Sequence, residues 1–217
     1  MTDRLLLARW TRLLSGLVLY GLADGLIIQA GIGVTPWDVL GQGVSLRTGL
    51  LFGVVTILIG ALVLLLWIPL RQRPGVGTLL NVLLVGAAAQ VVLWLVPTPE
   101  PLLARIGLFV LGLLLLAVAT GLYVGARFGA GPRDGLMMGI SRRLGWPIWV
   151  ARTAIEGTVV AIGWLLGGNA AVGTLAFALL IGPLCQITIP FFSLRPQVPT
   201  LVPADQPRRE DPTWQSA

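Results

Sequence analysis

Histidine and lysine are both missing from these 217 residues, cysteine occurs once, and charged side chains make up only 11%. Each shortage removes a class of function. Without His, the chain alone supplies no imidazole metal ligand, no His general base and no His pH switch. The lone Cys185 lies in an apolar run and has no partner for a disulfide or a thiolate metal site, so it reads as a small buried hydrophobe. A soluble domain carries roughly 25% charged residues. The shortfall here places most of the chain where charge is expensive, in the hydrocarbon of a bilayer. All 15 basic residues are Arg, which fits a GC-rich coding bias, and the net charge is +6. There is no basic block with interleaved aromatics, and in a membrane chain Arg gathers in cytoplasmic loops. Nucleic acid is therefore not an expected partner. Neither Gly-x-Ser-x-Gly nor a phosphate loop ending in Lys-Ser/Thr is present. No enzymatic activity, cofactor or metal is expected.

What the chain has in abundance is apolar length. Six stretches could span about 30 Å of hydrocarbon at about 1.5 Å per residue. They run from Leu13 to Ala30, Leu50 to Leu70, Gly77 to Val96, Arg105 to Ala126, Trp146 to Leu166 and Val172 to Phe192. Trp67, Trp94, Trp146, Trp149 and Trp164 fall near span ends, where interfacial anchors belong. The opening MTDRLLLARWTRLL has no small-residue cleavage site after its apolar run and reads as part of a retained first helix. After Ser193 the chain is rich in Pro and mixed charge, the composition of a disordered cytoplasmic tail over 193–217.

Sliding the chain by 96 residues aligns Gly16–Gln90 with Gly112–Gln186 without a gap, and 27 of these 75 pairs are identical. Leu and Val matches are cheap in apolar sequence; the punctuation matches are not. Gly33 pairs with Gly129, Pro36 with Pro132, Asp38 with Asp134, Gly49 with Gly145, Gly77–Thr78 with Gly173–Thr174, and Gln90 with Gln186. The expected fold is an all-α polytopic membrane protein with six transmembrane helices, made of a first repeat over 1–96 and a second over 97–192. Three spans per copy make the copies inverted. With the N-terminus in the cytoplasm, twelve Arg fall inside, Arg152 lies just within the fifth span, and only Arg47 and Arg105 fall outside, as the positive-inside rule asks.

In each copy a Gly-rich turn leads into Pro-x-Asp and about a dozen further residues, Pro36–Arg47 and Pro132–Arg143. A helix of that length covers roughly 18 Å, too little to cross. Pro in the first turn with Asp close behind marks a helix start, because Pro lacks an N–H to satisfy and carboxylate opposes the positive dipole end. These are short half-helices, either re-entrant or interfacial. Asp38 and Asp134 could line a solute site or merely cap their helices and pair with Arg47 and Arg143. Inside the fifth span Arg152 and Glu156 stand one turn apart, where the first copy has Thr56 and Gly60. They suit a wet cavity or an internal salt bridge. Asp24 in the first span aligns with Thr120. Gln90 and Gln186 suit interhelical hydrogen bonds, and Gly16, Gly21 and Gly25 suit close helix contacts. Trp37 and Arg133 occupy the same position of the motif in the two copies.

The run GIGVTPWDVLGQGVSLRTGLLFG, followed by RPGVGTLLNVLLVG, resembles the YczE/YitT-like family of bacterial integral membrane proteins. The match falls on Gly33, Pro36, Trp37, Asp38, Gly43, Gly49, Gly75, Gly77 and Thr78, and the second copy departs from it with Arg133 in place of Trp37. The resemblance implies a multi-span protein of the bacterial cytoplasmic membrane and supplies no substrate. Two functions fit. One is secondary transport or permeation of a small solute, at a site between the copies built from Trp37, Asp38, Arg133, Asp134, Arg152, Glu156 and Asp24. The other is a non-transporting membrane scaffold or accessory protein supporting another system, closed to water, with its carboxylates paired internally. The bilayer is the expected partner; oligomeric state is open.

Overall fold

The computed structural model describes residues 2–193, so the tail expected after Ser193 lies outside the described residues. Every regular element among them is helical: α1 (Thr2–Ala30), α2 (Pro36–Thr48), α3 (Phe52–Trp67), α4 (Val76–Leu95), α5 (Leu102–Gly125), α6 (Pro132–Leu144), α7 (Ile148–Leu165) and α8 (Val172–Phe192). Five helices are long and apolar enough to cross a membrane, and six crossings result if α2 and α3, joined at a 117° bend, count as one broken span. The second expected span is thus shorter than its apolar run, because Ile68–Arg71 form a turn after Trp67.

The 96-residue offset carries α2 onto α6 residue for residue, and α3 and α4 onto the starts of α7 and α8. The special backbone positions repeat with it. Gly33 and Gly129 have φ of 121° and 123°, and Gly49 and Gly145 end α2 and α6 in the left-handed region at 72° and 69°. Contacts between the halves come in exchanged pairs. Gly77 N–H donates to Phe128 O at 3.0 Å, and Gly173 N–H to Ile32 O at 2.8 Å. Arg9 closes the carbonyl end of α5 through Ala126 and Arg127, while Arg105 closes that of α1 through Ala30 and Gly31. Arg47 bonds Leu166 O, and Arg143 bonds Pro69 O, one residue short of the matching Leu70. These guanidinium groups satisfy helix-end carbonyls that would otherwise lack donors.

At the centre α1 runs along α5, with α4 against α1 and α8 against α5. Small residues permit the approach: a Cβ on Gly16 would lie 2.8 Å from Tyr123 N on α5, and one on Gly21 would meet Val85 O on α4. The core is Ala23, Ile27, Ala30, Leu113, Leu116 and Phe177, while Leu58, Leu62, Leu79, Leu83, Leu179 and Ile187 face outward. Large apolar side chains thus fill both the core and the exterior, as lipid permits, since leucine loses nothing by facing acyl chains.

Two differences from expectation concern polar anchoring. Trp94, Trp146, Trp149 and Trp164 are exposed as anchors should be, but Trp67 is buried. Its indole packs where Gly135 leaves room and its Nε1–H donates to Pro132 O at 3.1 Å, clamping α3 onto α6. Gln90 makes the expected interhelical bond, its Oε1 accepting from Gly53 N at 2.9 Å. Its repeat mate Gln186 is exposed on α8. The cause is local. α3 meets α4 through Gly53 and Gly86, whereas the second copy has Trp149 in place of Gly53, and a Cβ on Gly182, the mate of Gly86, would meet open space. Consequently α3 packs along α4 but α7 does not pack along α8.

Candidate functional site

The half-helices meet at their N-terminal ends. Thr35 caps α2 and donates its hydroxyl to Asp38 Oδ2 at 2.7 Å, while accepting from Asp38 N at 3.4 Å. Asp38 Oδ1 lies 3.6 Å from an Arg133 terminal nitrogen, and the carboxylate is 1% exposed. Arg133 also stands over the Trp37 ring, 5.3 Å from its centroid. The two side chains at the matching position of the motif therefore face each other. α6 begins at Gly131, which has no side chain to cap with, and Asp134 instead accepts from Tyr123 OH at 3.2 Å. Two positive helix ends converge here, and each has a carboxylate in its first turn. Neither Asp pairs with Arg47 or Arg143, which are occupied by carbonyls at the other ends of their helices.

Asp24 completes the cluster from α1. It is 1% exposed, its charged neighbours are Asp38 and Arg133, and it has no hydrogen bond to any described residue. Trp37 Nε1 is likewise buried without a partner.

Cavities open on both sides of this junction. On the α7–α8 side lies a volume of about 570 Å³, whose wall includes Arg127, Arg152, Glu156, Gly182 and Cys185. On the α3–α4 side lies one of about 70 Å³, bounded by Thr56, Gly60, Asn81 and Val85. Tyr20, Trp37, Tyr123, Arg133 and Asp134 belong to both walls and form the partition. The 570 Å³ volume is within the range of small-molecule sites, about 300–1,000 Å³. Thr56, Gly60 and Val85 are the repeat mates of Arg152, Glu156 and Ile181, so the cavities are equivalent places in the two copies, one narrow and one wide. Arg152 Nε donates to Glu156 Oε1 at 2.9 Å, the i, i+4 pair expected, on the wall of the wide cavity. Cys185 is half-buried in that wall rather than sealed in a core.

Six of the seven expected site residues border one of the cavities or form the junction between them, and Asp24 sits sealed behind it. Tyr20 and Tyr123 were not legible as site residues. They are the only two tyrosines in the chain, and they meet edge to face with ring centroids 6.0 Å apart. A rare hydroxyl-bearing aromatic in mid-span was the available signal. No group of three or more Cys, Asp or Glu among the described residues could hold a metal ion.

A helical bundle with an apolar exterior and a buried charged cluster defines a polytopic membrane protein, and sequence comparison gives its family. The chain belongs to the family of unknown function DUF6198, whose profile matches residues 7–190, and to the YczE-like bacterial membrane proteins. It is 39% identical over 187 residues to an uncharacterized protein of Haemophilus influenzae, covering 86% of each chain. It is 33% identical over 187 residues to the uncharacterized membrane protein YczE of Bacillus subtilis, covering 85% of this chain and 87% of that one. The Bacillus subtilis protein YyaS is 27% identical over 179 residues, with 81% and 89% covered. No solved structure matches.

Proposed function

We propose that the protein is a small-solute permease or secondary transporter of the bacterial cytoplasmic membrane, with its site between two inverted copies of one three-span unit. The observation that carries this reading is the Asp38–Arg133–Asp134 cluster standing between a wide cavity and a narrow one built from matching positions of the two copies. A transporter that alternates its access needs such a partition, with one approach open while its counterpart is closed. Inversion is supported by the odd number of spans per copy, by the Arg asymmetry with both termini cytoplasmic, and by the exchanged contacts between halves. Burial of the first half of α2 within the bundle favours a re-entrant helix over one lying on the interface. α3 has 16 residues and covers about 24 Å, a shortfall that local bilayer thinning accommodates. The internal pairing of Asp38 and Asp134 would also suit a scaffold, but a closed scaffold has no use for a 570 Å³ volume reaching charged side chains at the centre.

Stopped-flow light scattering of proteoliposomes, challenged in turn with glycerol, urea, glycine and sodium formate, tests the reading. At least one solute should enter faster than through protein-free vesicles, and Glu156→Gln or Asp134→Asn should abolish that entry while the protein stays folded. Unchanged entry in both variants would reject the residue assignment. No entry of any solute would leave the scaffold as the better account.

A further inference from the structure

Asp24 is the one acidic side chain in this bundle that is buried yet makes no hydrogen bond among the described residues. Every other carboxyl in the central region has a donor: Asp38 has Thr35 and Arg133, Asp134 has Tyr123, and Glu156 has Arg152. The groups around Asp24 are its own helix's Tyr20, Asp38 from α2 and Arg133 from α6, with Tyr123 from α5 behind Tyr20, while α4 contributes no titratable side chain. The single guanidinium in reach is already committed to Asp38. A second negative charge beside Asp38, dry and without a donor, is a state that a low-dielectric interior resists strongly. Taking up a proton removes that charge.

The sealed position is also uninformative as structure. A buried carboxyl that makes no bond costs stability and contributes nothing in return in this conformation. Its repeat mate Thr120 is neutral, bonds its own helix at Leu116 O, and lies in the wall of the wide cavity. If the two copies exchange roles, the narrow α3–α4 cavity widens and the place now held by Thr120 on the wide side is taken by Asp24 on the other. Water then reaches the carboxyl, which can ionise.

Resting on the permease reading above, we infer that Asp24 is a proton-binding site, loaded while sealed as here and unloaded when the α3–α4 cavity opens, so that solute movement is coupled to protons. The proton leaves the carboxyl for water on the α3–α4 side, and as that cavity closes the carboxylate is reloaded from the α7–α8 side across the partition, so each cycle moves one proton from one cavity to the other.

Infrared spectroscopy of the full chain in liposomes tests the site without any solute. At neutral pH the wild type should show a protonated-carboxyl carbonyl band that is lost in Asp24→Asn and kept in Asp38→Asn. A second variant, Asp24→Thr, carries the side chain found at the matching position and should lose the band too. Absence of the band in wild type, or its survival in both Asp24 variants, overturns the proposal. The coupling is read from vesicles holding a trapped pH dye and exposed to each solute of the swelling panel. Entry should change lumenal pH in wild type, with loss of that change in Asp24→Asn. Entry without a pH change overturns the coupling while permeation stands. Entry of no solute overturns the permease reading and the coupling with it, and the infrared band alone then decides whether Asp24 holds a proton.

Discussion

Removing Arg133 should cost far more than its partial exposure suggests. Its terminal nitrogen stands 3.6 Å from Asp38 Oδ1, a separation at which unit charges attract by roughly 4–5 kcal/mol in an effective dielectric of about 20. The guanidinium side chain is 26% exposed, so solvent screening trims that figure, and we expect Arg133→Met to lose about 3 kcal/mol as Asp38 is left buried and uncompensated. Asp38→Asn is milder, about 1 kcal/mol, because Thr35 still has an acceptor and Arg133 can turn toward water. The double variant should then lose about 2 kcal/mol, giving a coupling of about 2 kcal/mol between the positions. The contact of Arg133 with Trp37 is lost in both Arg133 backgrounds and cancels from the cycle. Equilibrium unfolding in mixed micelles of rising denaturing-detergent fraction, followed by tryptophan fluorescence, measures all four proteins. Additivity within about 0.5 kcal/mol would refute the claim that this pair is what neutralises the meeting point of α2 and α6.

Two further outcomes follow from the same geometry. Thr78 Oγ1 donates to Ala130 O at 2.7 Å and accepts from Gly75 N, and Thr174 Oγ1 accepts from Val34 N at 3.2 Å and from Ala171 N. Thr78→Val and Thr174→Val should each lose about 1–2 kcal/mol in the same unfolding assay, and a cost confined to one copy would contradict equivalent docking of α4 and α8. Native Cys185 should react with a small polar methanethiosulfonate through the wide cavity, and Gly182→Trp, which adds bulk where the wall has open space, should suppress that reaction. An unreactive Cys185 in wild type would mean that the α7–α8 cavity is closed to water.

Much of this architecture was written locally. The helix starts at Pro36 and Pro132, the left-handed stops at Gly49 and Gly145, and the apolar lengths of α4, α5 and α8 are set by neighbours in the chain, so periodicity and punctuation reveal them. The i, i+4 bond of Arg152 to Glu156 belongs to the same class, since one helical turn is enough to define it. The duplication was legible for a related reason: Gly, Pro and Asp at turns tolerate few substitutes, and they preserve a register that interchangeable Leu and Val blur.

What tertiary structure alone decided is which polar groups meet and where space is left. Arg133 was visible as the departure of the second copy from the first, but its choice of Asp38 over Asp134 depends on α6 arriving opposite α2 from 95 residues away. Arg9, Arg12 and Arg105, counted in the sequence for sidedness, also close helix ends, a role that requires knowing which carbonyl lies across the bundle. The first copy has Gly53 where the second has the exposed Trp149, so α3 closes on α4 through paired glycines while α7 stands off α8, with the larger cavity walled by both. Periodicity describes one helix against its own axis. Contact between two helices depends on the volume each presents to the other, and that sum exists only after they have packed.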